Sequence, residues 1–204
     1  MSDLVAVLFA RADSNYKLMP QCDVYDFERD ALTWQGGAPV VAHPPCRAWG
    51  SFRGLAKPRD GERDLAFFAV DQVRRFGGVL EHPVASQLWP VAGLPKPGAR
   101  DAFGGFTWPI LQSAFGHRAD KPTLLYVCGC EPGDVPAVPL RLGKATHVIA
   151  QMRTRKDGTR IRKGDSTWRP EVSKAEREHT PPQLAAWLVD LAVRCGQAKA
   201  VRHV

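Results

Sequence analysis

The apolar positions of this chain change period along its length. Leu4 to Phe9 is a continuous apolar run, the pattern of a central strand covered on both faces. A polar loop follows from Ala10 to Lys17, and Cys22 to Tyr25 reads as a second short strand ending at Asp26. Phe27 to Trp34 is expected as a short helix stopped by Gly36-Gly37, and Pro39 to Ala42 as the next strand. Asp60 is the expected N-cap of a helix, because Leu65, Phe68, Ala69, Val73 and Phe76 then recur at helical spacing. Gly77-Gly78 ends that helix, and Val79-Leu80 begins a further strand. Strand, helix, strand in this order is a parallel crossover unit. Gly93 to Gly105 is rich in Pro and Gly and reads as loop, and Thr123 to Val127 is another strand. Pro182 to Cys195 is amphipathic, with Leu184, Trp187, Leu188, Leu191 and Ala192 on one face.

These elements predict one three-layer α/β domain over residues 1–204, Rossmann-like, with a mainly parallel sheet. A chain of 204 residues is long enough for one full core. No apolar run reaches the length of a membrane span, and Met1-Ser2-Asp3 leads into a strand without a signal-peptide pattern. The five cysteines are odd in number and scattered, so reduced thiols and a cytoplasmic location are expected.

Charge changes the picture more than composition does. The segment 141–170 carries Arg141, Lys144, Arg153, Arg155, Lys156, Arg160, Arg162, Lys163 and Arg169 against Asp157 and Asp165. Nine minus two is seven, the whole net charge of +7. A concentrated basic segment is the footprint of a polyanion partner, here a nucleic acid; a solvated loop without a partner is the bland alternative. Asp157-Gly158 between alternating runs predicts a small basic hairpin within this insertion, with Arg153, Arg155, Lys156, Arg160, Arg162 and Lys163 as the candidate nucleic-acid contacts.

The candidate chemistry sits after two strands. Val40-Val41-Ala42 runs into His43-Pro44-Pro45-Cys46, and Val79-Leu80 runs into Glu81-His82-Pro83. Ligands of open α/β sheets bind outside the carboxyl ends of the strands. A thiol and a carboxylate delivered there can serve as nucleophile and acid. A following helix N-terminus and Arg47 are expected to favour the Cys46 thiolate, and an apolar surrounding to raise Glu81; an inert cysteine and a carboxylate paired with Arg47 or Arg53 are the alternatives. Arg118 and Lys121 form a cation pair at the entrance to the strand at 124–127. One Cys-x-Cys, at Cys128-Gly129-Cys130, is a weak zinc signal, and no metal site is expected. Trp49 and Trp168 are candidates for stacking on a base.

In order and spacing, these motifs resemble the cytosine-5 DNA methyltransferase family, in the form of short phage and prophage proteins. His43-Pro44-Pro45-Cys46 resembles the family's Pro-Cys motif, whose cysteine attacks C6 of the target base. Leu80-Glu81-His82-Pro83 is similar to its Glu-Asn-Val motif, whose glutamate holds N3 and the exocyclic amine. Phe115-Gly116-His117-Arg118 onwards resembles the arginine-bearing segment before a strand, and Thr180-Pro181-Pro182-Gln183 a late motif that starts a helix near the cofactor. The resemblance spans residues 38–195 and implies a methyltransferase-like fold, catalytic roles for Cys46, Glu81 and Arg118, and S-adenosylmethionine as cofactor. Ser14, Tyr16 and Asp26 are the residues it implies for the cofactor side.

The chain departs from the family after its first strand. Ala10 to Lys17 lacks the family's glycine-rich turn, and Cys46 lies only 37 positions after Phe9, so a shortened cofactor half is expected. Two other functions remain open at this point: a relative that binds and shields DNA without methylating it, and a cysteine enzyme acting on free pyrimidine nucleotides with another donor.

Overall fold

Alternation within the strands divides the core in two. The computed structural model describes residues 4–51, 53–150, 154 and 157–202. Strand β1 (Val5–Leu8) is wholly buried; Val5 and Val7 face one side of the sheet, Ala6 and Leu8 the other. The first side is covered by helix α4 (Pro182–Arg202), which follows the short helices α2 (Leu88–Val91) and α3 (Lys174–Glu178) in the chain, through Leu184, Leu188 and Leu191. The second is covered by helix α1 (Leu65–Phe76), through Ala66, Ala69, Val70 and Val73. Each fully buried leucine of α4 contributes about 1.5–3 kcal/mol of apolar burial, which is why this helix can close the sheet unaided by a second one. The three layers are thus helix, sheet and helix.

The sheet adds β2 (Cys22–Tyr25), β3 (Val40–Ala42), β4 (Gly78–Pro83), β5 (Phe106–Leu111) and β6 (Pro122–Cys128), in the order β2-β1-β3-β4-β6-β5. The four strands from β2 to β4 are mutually parallel, while β6 runs antiparallel to both β4 and β5. This is a six-stranded, mostly parallel α/β sheet, compatible with a Rossmann-like fold. The chain leaves β1 towards β2 on one side and β3 on the other, which makes the β1/β3 boundary a topological switch point. The β3-α1-β4 crossover is parallel, as its pattern predicts. Among the described residues no helix is long and apolar enough to cross a membrane.

Four features differ from the sequence expectation. Phe27 to Trp34 holds only a 3-10 turn at Ala31–Thr33, with Asp30 accepting from the Leu32 amide. Helix α1 starts at Leu65 rather than after Asp60, because residues 60–64, with Gly61 among them, form a run of turns. Strand β5 is not marked by the pattern, since Pro109 interrupts it; as the edge strand it tolerates a residue without an amide donor. The hairpin at Asp157-Gly158 amounts to one antiparallel bridge, Thr154 to Arg160, and Arg153, Arg155 and Lys156 lie outside the described residues. Between β1 and β3 there are two 3-10 turns and no α-helix, in line with a shortened first half.

Candidate active site at the carboxyl ends of β3 and β4

Register brings the two motifs together. Ala42 pairs with Leu80 in the parallel β3/β4 ladder, so the next residues, His43 and Glu81, leave neighbouring strands side by side on the α4 face. His43 Nδ1 lies 3.1 Å from Glu81 Oε2, and the Tyr16 hydroxyl lies 2.9 Å from His43 Nε2. The tautomer with its hydrogen on Nδ1 serves both contacts: Nδ1–H donates to Glu81 and Nε2 accepts from Tyr16 O–H. Gln112 Nε2 donates to the other carboxylate oxygen, Oε1, at 3.1 Å, and to Thr123 Oγ1. Glu81 is therefore gripped on both oxygens, by side chains from two different parts of the chain.

Burial pushes the Glu81 carboxyl up, but the His43 hydrogen bond and the charge of Lys121 outweigh it and hold it at about 2. The sequence expectation of a raised acid is reversed, because polar groups rather than an apolar ring surround it. Burial pushes the Tyr16 hydroxyl well up, so it stays protonated and donates.

Cys46 is an exposed residue on the turn after β3, its carbonyl accepting from the Trp49 and Gly50 amides. Its thiol is crowded by the chain around it, and this burial, with the charge of Glu81, pushes it above the usual thiol range; Lys121 opposes the shift. Exposure governs access to the sulfur, and crowding governs its charge. The resting group is thus a thiol rather than the expected thiolate. Arg47 does not assist it, since its Nε donates to buried Glu62 at 2.6 Å. Lys121 has no ion-pair partner among the described residues, and its backbone is held at φ 40.

His82 points to the opposite, α1 face and is 1% exposed. Ser86 Oγ accepts from the Leu88 amide and donates its own hydrogen to His82 Nδ1 at 2.7 Å. Nε2 then carries the proton and faces the carbonyls of Pro44 and Pro45 without a full hydrogen bond. His82 thereby supports the Pro-Pro turn that carries Cys46. Burial pushes it down to about 4.

These two groups contribute to the acid response, alongside His117, which burial also pushes down. The unfolded chain binds more protons than the folded one where His82 is held below 6.5, so stability falls as the pH drops from about 6.5 to about 4. Glu81, held below 4.5, adds a second loss from about 4.5 to about 2. His82→Asn should flatten the upper window and Glu81→Gln the lower, in denaturant midpoints measured against pH. An unchanged profile in either variant contradicts the corresponding environment.

The other sequence candidates lie at varied distances from this centre. Arg118 is exposed and engaged with Glu176 and His147, while Lys121 is the cation whose charge reaches both Cys46 and Glu81. Ser14 caps the 3-10 turn Asn15–Leu18, which places Tyr16 against His43. Asp26 is paired with Lys17 and accepts from the Glu28 and Arg29 amides. Arg160, Arg162 and Lys163 are exposed. Trp49 is fully buried and cannot stack on a base. Sequence reasoning missed His43 and Gln112; the echo of His43-Pro44 in His82-Pro83 after paired strands was the available signal.

A crevice of about 600 Å³ opens at the switch point. It is lined by Phe9 and Ala10 after β1, Asp26 and Phe27 after β2, and Pro45 and Arg47 after β3. Leu32 and Asp30 complete one wall. Phe9 takes φ 62 and Asp30 φ 49, a left-handed backbone that costs side chains of this size energy. The turn for which a glycine was expected is made instead by Phe9, whose ring packs edge-on against Phe68. Together with Lys121, these are the only non-glycine residues at positive φ among those described, and all three lie at one of the two candidate sites. Among the described residues no cluster of metal-binding side chains occurs.

No protein-family model, curated protein or solved structure matches this chain.

Proposed function

We propose that this protein modifies cytosine in DNA, adding the Cys46 thiol to C6 of the base and directing methyl transfer to C5. The observation that carries the reading is the in-register pairing of β3 and β4, which sets Cys46 three residues beyond His43, the side chain that with Gln112 grips the Glu81 carboxylate. An ionised Glu81 accepts a hydrogen bond from the 4-amino group of cytosine and repels the 4-carbonyl of uracil. That preference supports cytosine over other pyrimidines.

The step balances as follows. The Cys46 sulfur bonds to C6, the C5=C6 electrons shift towards N3, and the thiol proton ends on N3 with Glu81 as carrier. Carbon C5 is then nucleophilic. After transfer, the C5 proton passes to solvent water, the C6–S bond breaks as the ring double bond re-forms, and the departing sulfur takes back the proton held at N3, which restores the ring and the thiol. Lys121 favours the transient thiolate by its charge.

S-adenosylmethionine, when bound, supplies an electrophilic methyl group. The switch-point crevice fits a group of that size, and its exposed apolar faces, Phe27 and Leu32, suit an adenine ring. Asp26 holds the β2 turn and Lys17, so the hydroxyl contacts of such a ligand fall to the neighbouring acids Asp30 and Asp60. These features also support the methyltransferase-like form of the fold.

Nucleoside mass spectrometry of DNA from cells producing the protein tests the reading. A new C5-modified cytosine, absent from cells without the protein, is the expected result. Unmodified DNA, together with no binding of S-adenosylmethionine in calorimetry, overturns it.

A further inference from the structure

Two leucines stand almost clear of the protein. Leu140 is 89% exposed and Leu142 is 86% exposed. The residue between them turns inward: Arg141 Nη1 donates to the Ser113 carbonyl at 2.8 Å and to the His117 carbonyl at 3.0 Å. Shortly after, Arg169 Nη1 donates to the Ala145 carbonyl at 2.8 Å. The leucines are therefore held outward by one anchor between them and a second just after them. Arg141 spends its charge on backbone rather than offering it to a partner.

The anchor point connects them to the reactive centre. Ser113 adjoins Gln112, whose amide holds Glu81 Oε1. The apolar pair is thus mounted on the same turn that grips the carboxylate. Lys144, Arg160, Arg162 and Lys163, in the segment that holds the chain's excess charge, are exposed.

An apolar pair within a cationic segment needs a partner that offers both anionic and apolar surface. In a closed duplex the base faces are hidden in the stack, and the grooves offer mainly polar edges. In a single strand the faces are free, and side chains gain by covering them. We infer that Leu140 and Leu142 pack on the bases flanking the target in single-stranded DNA, while the exposed lysines and arginines of this segment neutralise its phosphates. The inference rests on the proposed nucleic-acid reading for its partner and goes beyond it in assigning the strand state. An anionic lipid surface has similar chemistry, but it gives no reason for mounting the leucines beside Glu81.

Fluorescence anisotropy with a labelled oligonucleotide of about 20 nucleotides, single-stranded or annealed, tests this. The wild type should bind the single strand more tightly than the duplex at equal salt. Leu140→Ser/Leu142→Ser should lose about tenfold on the single strand and little on the duplex, with the salt slope unchanged. Arg160→Gln/Arg162→Gln/Lys163→Gln should lower that slope by about 2. Both leucines are exposed, so an unchanged thermal midpoint separates lost binding from lost fold. Equal single-strand affinity of the serine variant overturns the inference. So does duplex preference, or leucine-dependent binding to phosphatidylserine vesicles with the single strand unaffected. Leucine-dependent binding without modified cytosine refutes only the enzymatic reading. Modified cytosine with leucine-independent binding refutes only this inference.

Discussion

Cys46→Ala should abolish product formation while leaving fold and DNA affinity almost unchanged. The residue as a whole is exposed and only its crowded sulfur is removed, so the stability change should stay within about 1 kcal/mol. In the proposed step the sulfur is the group that bonds to C6, with Glu81 assigned to the amino group of the base and to its proton. Loss of the nucleophile should therefore lower the rate by about 10⁴-fold or more. An oligonucleotide carrying 5-fluorocytosine gives the sharper readout. Fluorine at C5 cannot depart as a cation, so the adduct persists and migrates as a protein–DNA species under denaturing conditions. Wild type with the methyl donor should form that species, and Cys46→Ala should not. Product or trapped adduct from the alanine variant would remove Cys46 from the mechanism.

Part of this arrangement is legible in the sequence and part is not, for physical reasons. The apolar runs that form β1 and β3 are buried on both faces of parallel strands, so their pattern alone marks them, while the edge strand β2 is only half-buried up to Tyr25. The amphipathic face of 182–195 marks α4 equally well, because one helix covers that side of the sheet. Strand β5 is hidden by Pro109, which only an edge position allows. Cys46 and Glu81 can each be placed at a strand end from sequence. Their meeting depends on the Ala42–Leu80 register, which no local pattern carries. His43 reads as a spacer before two prolines, and its partner Tyr16 sits in a stretch that reads as polar loop. The charge state of Glu81 follows from those partners, so it is illegible for the same reason. Phe9 shows the converse: the absence of glycine after β1 is plain in sequence, but not that a phenylalanine makes the turn at positive φ.

The same register makes Gly78 the most sensitive structural position. It opens β4 at φ 126, and a Cβ there would lie 2.0 Å from the Val40 carbonyl oxygen, 2.6 Å from its nitrogen and 2.8 Å from its carbonyl carbon. All three atoms are backbone of the neighbouring strand, so no side-chain rotation relieves the collision. Strand β3 would have to separate from β4, losing the ladder that aligns His43 with Glu81. Gly78→Ala should therefore cost about 4 kcal/mol or more, a large share of the total stability of about 5–15 kcal/mol expected of a single domain. Denaturant unfolding should show a collapsed midpoint or no cooperative transition at all. Val40→Gly should not rescue it, because the clash involves no Val40 side-chain atom. Gly133→Ala is the control: no atom lies within 4 Å of its added Cβ, and the change there should stay within about 1 kcal/mol. A Gly78→Ala protein as stable as that control would mean that β3 and β4 do not pair in this register, and that Cys46 and Glu81 are not brought together as described.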